Sequence, residues 1–533
     1  MSASATAVSQ PLASALQDEL IQTTLRQILL APVYDVAKRT SLDPLPKLAQ
    51  KLGPTLWLKR EDQQPVHSFK LRGAYTKLHG LSAQQRRAGV VAASAGNHAQ
   101  GLALAAKQAQ VRAVIVMPTT TPEIKIQAVR DNGAEVVLWG DSFDAAYQRA
   151  FALAEQDNLT MVPPFDDELV IAGQGTIGLE LLQQQRQLDA VFIPVGGGGL
   201  IAGVAACIKA LAPHIKVIGV EPEDAACLAA AMAAGKPVDL ERVGRFADGV
   251  AVKRIGQAPF AIAQLCVDEI VTVTSDEICA AIQDIYQDTR AIAEPSGALS
   301  VAGMKRYAMQ HAEPQSLAQQ QWAAILSGAN INFHSLRYIS ERCELGEGQE
   351  AVLAVTIPER PGAFLQFCQL LGRRAITEFN YRLSSREQAN VFVGLKIAAA
   401  ELAQLSVELT QAGYAHCDLS ADETAKLHVR YMVGGLPPEP LQERLFSVHF
   451  PEHPGALEQF LQQLGARWNI SLFHYRNHGA AAGRVLLGIE QQPSEGAELD
   501  LAASHLEHCL SELDGDWSEV THSPAYKFFL SKS

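Results

Sequence analysis

Short apolar runs and helical stretches alternate along the first 340 or so residues of this 533-residue chain. Leu56-Trp57-Leu58-Lys59 reads as one strand and Gly89-Val90-Val91-Ala92-Ala93 as a second. Val111–Pro118, Glu135–Leu138, Ala190–Val195, Val217–Pro222 and Ala323–Leu326 continue the series. Between them fall helical patterns: Leu102–Ala109, the stretch around Glu123–Asn132, Phe143–Gln156 and the small-residue run Ile201–Leu211. Strands and helices recurring at roughly 25–30 residues predict parallel α/β units.

The pattern then changes and repeats itself. Val355-Thr356-Ile357-Pro358-Glu359-Arg360-Pro361-Gly362-Ala363-Phe364 leads on to Gly372 and Phe379-Asn380-Tyr381-Arg382. The same phrase returns as Val448-His449-Phe450-Pro451-Glu452-His453-Pro454-Gly455-Ala456-Leu457, then Gly465 and Phe473-His474-Tyr475-Arg476. Val355 to Val448 and Gly372 to Gly465 are 93 positions apart; Phe379 to Phe473 is 94, one inserted residue. This is an internal duplication of a small α+β module, with its junction near Gly434-Gly435-Leu436-Pro437-Pro438. The predicted layout is a disordered arm over 1–24, an α/β part over 25–340, and modules over 345–432 and 440–533.

Composition narrows the class. Hydrophobic residues make up 48% and charged residues 19%, as in a globular protein with large cores. A formal net charge of -13 argues against nucleic acid as a partner. The amino terminus lacks the basic and apolar regions of a secretory signal, and no apolar run is long enough to span a membrane. Eight scattered cysteines with no CxxC pair predict neither zinc nor a disulfide framework, and a cytoplasmic location; no metal site is expected.

Lys70 is the first candidate for chemistry. It lies between Phe69 and Leu71, just before a helical pattern that starts with Arg72-Gly73-Ala74. An amine held in a partly dry cleft loses its proton more readily and becomes a nucleophile or base. The alternative is a surface lysine whose stem covers apolar neighbours. Gly196, Gly197, Gly198 and Gly199, followed by Leu200, join a buried strand to a helix. Their N–H groups and the helix dipole suit an anion, whereas a plain strand-to-helix turn needs one or two glycines. The run is neither a Walker-type loop nor GxGxxG with a ribose-binding acid. Ser94-Ala95-Gly96-Asn97-His98 opens a second strand-to-helix loop, suited to a carboxylate or phosphate, where Asn97 could bond a ligand oxygen. Ser327 closes a strand before Gly328 and places a hydroxyl there. Ligands of open parallel sheets collect beyond the carboxyl ends of strands. An amine, a phosphate cradle, a second anion loop and a hydroxyl suit a phosphorylated carbonyl cofactor held by a lysine imine, pyridoxal 5'-phosphate.

Ser68-Phe69-Lys70-Leu71-Arg72-Gly73-Ala74, Ser94–Gly101 and Gly196–Leu200 resemble the serine/threonine dehydratases of the tryptophan-synthase-β fold type. With the duplicated tail, the resemblance narrows to the biosynthetic threonine dehydratases. It implies two open, mostly parallel sheet subdomains and two ACT-like regulatory modules. It further implies that Lys70 binds the cofactor covalently and takes the α-proton, and that Asn97 contacts the ring hydroxyl. Gly196–Leu200 would hold the phosphate, Ser327 would face the ring nitrogen, and Ser94, Ala95, Gly96, Asn97 and His98 would hold the substrate carboxylate. The expected reaction is conversion of threonine, with serine as a competing substrate, to 2-oxobutanoate and ammonia. Isoleucine is expected to inhibit and valine to oppose it, in a homotetramer. The sequence Ser327-Gly328-Ala329-Asn330 departs from relatives that carry a second glycine. Rival readings are a serine dehydratase or racemase, a β-replacement synthase, and a ligand sensor with an inert catalytic half.

Overall fold

The computed structural model describes residues 9–311, 317–333, 335–346, 349–383, 385–422, 424–425, 429–432, 437, 439–451, 456–464, 468–476, 482–490, 508, 517–523, 526 and 530. The chain divides into two compact units, Met1–Gly346 and Glu347–Ser533.

The strands of the first unit are β1 (Leu42–Pro44), β2 (Thr55–Arg60), β3 (Val90–Ala93), β4 (Ala113–Met117) and β5 (Glu135–Leu138). They continue with β6 (Thr160–Met161), β7 (Ala190–Pro194), β8 (Lys216–Pro222), β9 (Glu269–Val273) and β10 (Gln321–Leu326). One sheet has the order β1-β2-β10-β7-β8-β9 and the other β5-β4-β3-β6. Every pairing is parallel except β1 with β2. β4 and β7 are buried along their whole length, as expected of parallel strands covered on both faces.

The Glu168–Gln184 helix packs between the Leu71–His79 and Gly199–Leu211 helices. Their backbones touch through glycine. A Cβ on Gly173 would lie 2.5 Å from the Arg72 carbonyl oxygen and 2.6 Å from Gly73 Cα. No larger residue fits that crossing.

Two details differ from the pattern reading. Residues 9–24 are not an unstructured arm: a helix runs over Ser9–Leu30, and residues 1–8 lie outside the described part. Leu25 and Ile28 are buried against Ala172 and Cys207, an apolar anchor that fixes the end of this helix. The helix expected from Leu102 starts instead at Asn97. Gly101 therefore lies inside it, where a Cβ would meet Leu71 N at 2.8 Å.

Among the described residues, the second unit is built on one eight-stranded antiparallel sheet. Its strands are β11 (Glu350–Pro358), β12 (Ile376–Arg382), β13 (Gln388–Lys396), β14 (Ala415–Asp418), β15 (Glu443–Pro451), β16 (Asn469–Arg476), β17 (Ala482–Glu490) and β18 (Trp517–Glu519). The order β14-β11-β13-β12-β16-β17-β15-β18 reads as two copies joined through their second strands. Phe379 pairs with Tyr475 and Tyr381 with Phe473, on either side of Asn380 opposite His474. Because Phe379 and Tyr381 are the counterparts of Phe473 and Tyr475, the seam is pseudo-two-fold. The junction residues Gly434, Gly435, Leu436 and Pro438 and the turn residues Pro454 and Gly455 lie outside the described part. In the first copy, Gly362 at φ 81° starts the Ala363–Leu371 helix, a left-handed position that favours glycine.

Candidate active site

β2 ends at Arg60, and the chain then loops to Lys70, directly before the Leu71–His79 helix. That loop is stitched to the end of β10. Phe69 N–H donates to the Ser327 carbonyl at 3.3 Å, Ala329 N–H to the His67 carbonyl at 2.9 Å, and Asn330 Nδ2 to the Val66 carbonyl at 2.8 Å. Lys70 and Ser327, 257 positions apart, are thereby brought together. Lys70 is half-buried, and loss of hydration holds its amine below the usual lysine range, against the pull of Glu294 and Asp248. Ser327 is 4% exposed and donates its hydroxyl to the Ser296 carbonyl at 3.2 Å.

Two residues beyond Lys70, Arg72 anchors the segment from below. Nε and Nη2 donate to Glu61, Nη1 to Glu180 and Thr176, and Nη2 also to the Lys38 carbonyl. Lys59 Nζ bonds the other Glu180 oxygen and the Thr40 carbonyl. Arg72, Lys59, Glu61 and Glu180 are each 0% exposed, so two cations and two anions neutralise one another in the interior. In the sequence, Arg72 marks the start of a helix and one position of the Ser68–Ala74 motif, and neither signals this buried cluster.

The loop Ser94-Ala95-Gly96 leads from β3 to the helix that begins at Asn97, and all four residues are half-exposed. A Cβ on Gly96 would meet nothing within 4 Å, so the loop borders open space. Among the described residues, the N–H groups of Ala95, Asn97 and His98 donate to no acceptor of the chain. The His98 ring is 2% exposed and its Nε2 lies 2.8 Å from the Val162 carbonyl. Burial, and then the Lys70 charge, push this ring down to about 4, so it is a neutral donor to Val162. His98 faces the loop with its backbone, and its ring is committed elsewhere.

Each glycine between β7 and the Gly199–Leu211 helix is sterically enforced. A Cβ on Gly196 would strike Val250 Cα at 2.9 Å, one on Gly197 the Phe165 ring at 2.1 Å, and one on Gly198 Pro259 at 2.8 Å. Close packing thus accounts for glycine here, a reason additional to anion binding. The N–H groups of Gly196 to Leu200 nevertheless donate to no acceptor among the described residues. Gly197 to Leu200 are buried, so four buried N–H groups in succession are left without an acceptor, an arrangement suited to an anion.

Glu294 completes the site, and motif reading missed it. It precedes Pro295 at the start of the Pro295–Gln310 helix, where an acid looks like an ordinary cap. Its Oε1 accepts from Asn97 Nδ2 at 2.6 Å, while Asn97 Oδ1 accepts from Asn330 Nδ2 at 2.7 Å. Burial and the nearby Asp248 charge push its carboxyl up to about 7, opposed by Asn97, Lys125 and Lys70. The buried hydroxyls of Ser68 and Ser296 have no hydrogen-bond partner among the described residues. Gly249 links the parts: a Cβ there would lie 2.9 Å from Ser296 Oγ and 3.8 Å from Asn97 Nδ2, and Val250 packs on Gly196. An amine, unsatisfied anion-binding amides, a fixed amide and orphaned hydroxyls fit pyridoxal phosphate, which offers a phosphate, an aldehyde and a ring oxygen.

Similarity to known proteins agrees with this chemistry. Residues 33–328 match the pyridoxal-phosphate dependent enzyme family, and residues 341–429 and 437–530 each match the C-terminal regulatory domain of threonine dehydratase. The chain is 55% identical over 525 residues to the biosynthetic L-threonine dehydratase IlvA of Escherichia coli strain K12, covering 98% of this chain and 99% of that protein. It is 47% identical to the chloroplastic biosynthetic threonine dehydratase of Arabidopsis thaliana, covering 90% and 81%. The processed threonine deaminase isoform 2 of Solanum lycopersicum matches in structure with a TM-score of 0.59 and 50% identity, over 61% of this chain and 93% of that one. Maize serine racemase matches with a TM-score of 0.55 and 29% identity, over 60% and 95%. The chain belongs to the pyridoxal-phosphate-dependent enzymes and, within them, to the biosynthetic threonine dehydratases, whose regulatory domain it carries twice.

Proposed function

We propose that this enzyme converts L-threonine to 2-oxobutanoate and ammonia, with isoleucine as its inhibitor and valine as the opposing effector. The observation that carries the reading is the meeting of Lys70, Asn97, Ser327 and the Gly196–Leu200 amides at the carboxyl ends of β3, β7 and β10. We assign residues 25–340 to catalysis and 345–432 and 440–533 to the two regulatory modules.

When bound, pyridoxal phosphate supplies an aldehyde that captures amines and a ring that draws electrons away from the substrate's Cα. Lys70 would anchor that aldehyde, the N–H groups of Gly196 to Leu200 the phosphate, and Asn97 the ring oxygen. Ser327 would meet the ring nitrogen with a neutral hydroxyl. The amides of the Ser94–His98 loop would hold the substrate carboxylate. Held beside the substrate's Cα, the Lys70 amine would remove the α-proton, helped by a site that disfavours its charged form. Loss of the β-hydroxyl as water gives aminocrotonate, which takes up water to form 2-oxobutanoate and ammonia. Lys70→Ala should lower turnover by about 10²- to 10⁴-fold and abolish the visible absorbance of the anchored cofactor. Retention of both would overturn the assignment. The likeness to serine racemase makes serine the substrate to assay beside threonine.

In the tail, the Pro361-Gly362-Ala363 turn aims a helix start beside the sheet, an arrangement suited to an amino-acid carboxylate. Inhibition requires isoleucine to bind two states of the enzyme unequally. Ending the chain at Gly346 should leave threonine turnover and remove isoleucine sensitivity; inhibition that persisted would rule the tail out as the sensor. Among the described residues, Cys207, Cys227, Cys266, Cys368 and Cys417 are free thiols, which supports a cytoplasmic setting. A homotetramer is the expected assembly, to be measured by light scattering.

A further inference from the structure

The Asn97 amide is gripped at both ends. Its Nδ2 donates to Glu294 Oε1 at 2.6 Å and its Oδ1 accepts from Asn330 Nδ2 at 2.7 Å. A carboxylate oxygen only accepts and an amide N–H only donates, so the two neighbours dictate which end of Asn97 is nitrogen. Among the described residues, one Nδ2–H is then left without an acceptor. Both neighbours are themselves fixed, Asn330 by the Val66 carbonyl at 2.8 Å and Glu294 through its backbone N–H to the Gly328 carbonyl at 3.2 Å. There is no slack around them. A Cβ on Gly328 would fall 2.3 Å from Glu294 Oε1 and 3.2 Å from Asn97 Nδ2.

We propose that Glu294 is a positioning residue that, with Asn330, orients the Asn97 amide so that its remaining N–H meets the ring oxygen of the cofactor. This rests on the Asn97 role given under Proposed function. The charged groups acting on Glu294 are Asp248, Lys125 of the Glu123–Asp131 helix, and Lys70. At 3% exposure, Glu294 meets almost no water that could replace it. A proton on Oε2 leaves Oε1 an acceptor, so the grip on Asn97 survives in either protonation state. Glutamine, which keeps that oxygen, should therefore substitute for it.

The test measures pyridoxal phosphate affinity by equilibrium dialysis, the visible spectrum of the bound cofactor, and kcat and KM for threonine in the full-length holoenzyme. Glu294→Ala should weaken cofactor affinity and lower kcat, each on the order of tenfold, and alter the spectrum. Glu294→Gln should restore all three. In an Asn97→Ala background, Glu294→Ala should have little further effect, because both act through one amide. Asn330→Asp, which sets an acceptor against Asn97 Oδ1 without opening a cavity, should reproduce Glu294→Ala and covers the case in which that variant does not fold. Additive losses in the double variant, or a wild-type spectrum and affinity in Glu294→Ala, would overturn the proposal. A wild-type protein with no pyridoxal phosphate spectrum would overturn the underlying reading as well.

Discussion

Two buried carboxylates act on the Lys70 segment and are held in opposite ways. Glu180, 0% exposed, lies between the guanidinium of Arg72 and the amine of Lys59. Burial pushes its carboxyl up, but Arg72 and Lys59 outweigh burial and hold it below the usual range. Glu294, 3% exposed, meets a neutral amide, feels the charge of Asp248, and is pushed up to about 7. Two cations keep Glu180 ionised, so it serves as a fixed charge that clamps Arg72. Glu294 can exchange a proton near neutrality, and it touches Asn97 in the site. Pairing a buried acid makes scaffold, and leaving it half-paired makes a group that responds to its surroundings.

The largest effect should come from breaking the scaffold. Arg72→Met leaves Glu61 and Glu180 buried with Lys59 as the remaining cation of the cluster. It should cost about 3–5 kcal/mol in urea unfolding of the catalytic unit. Glu294→Gln removes no counter-charge and should cost far less. If the two variants proved equally destabilised, the distinction between the two carboxylates would be wrong.

Next in size is the pH dependence, where the two acids should differ in sign. Glu294 has a raised folded value, about 7 against 4.5 for the exposed group. Its penalty is full above about pH 7 and shrinks as pH falls, because the native state takes up a proton before the unfolded chain does. The contribution levels off near 4.5. Wild-type stability minus that of Glu294→Gln should therefore rise on acidification across this window, by on the order of 3 kcal/mol. Glu180 has a lowered folded value, so its contribution is present at neutral pH and fades only as acid protonates it. Thermal unfolding of wild type and Glu294→Gln at several pH values checks the sign; a flat difference would show that Glu294 is ionised throughout.

The same contrast explains what was legible in the sequence. Lys70, Asn97, Ser327 and the four glycines stand at junctions of strand and helix, and such junctions leave local marks of composition. The duplication was legible because one phrase recurs, and its outcome is a sheet whose two halves mirror each other. In that sheet Glu350 and Glu443 are counterparts, yet Arg382 of the first copy bonds Glu443 of the second. Nothing near Arg382 in the sequence signals that partner. Arg72 and Glu180 are 108 positions apart, and Asn97 and Glu294 are 197 apart. Contacts of that range are products of topology and carry no local pattern. The glycines at 196–199 were legible for an incomplete reason, since Phe165, Val250 and Pro259 enforce them by contact. The helix over Ser9–Leu30 was missed because its anchor, Leu25 and Ile28, is only two apolar residues wide in the described core.

The smallest effect tests whether Glu294 responds to its surroundings. Lys125 Nζ lies 2.8 Å from Asp248, with side chains 22% and 55% exposed. Water screens such a pair, so Lys125→Met should change stability by less than about 1 kcal/mol. Its effect on Glu294 should be clear nonetheless. The lysine charge favours the ionised carboxyl and the Asp248 charge disfavours it. Removing the lysine leaves Asp248 uncompensated, so the Glu294 carboxyl should hold its proton to a higher pH. The measurement is the stability difference between Lys125→Met and Lys125→Met/Glu294→Gln, followed against pH and set beside the same difference in the wild-type background. The acid-driven rise should begin at a higher pH in the Lys125→Met pair. A rise that began at the same pH, or lower, would mean that hydrogen bonding and burial alone govern Glu294, and that charge on the Glu123–Asp131 helix does not reach the site.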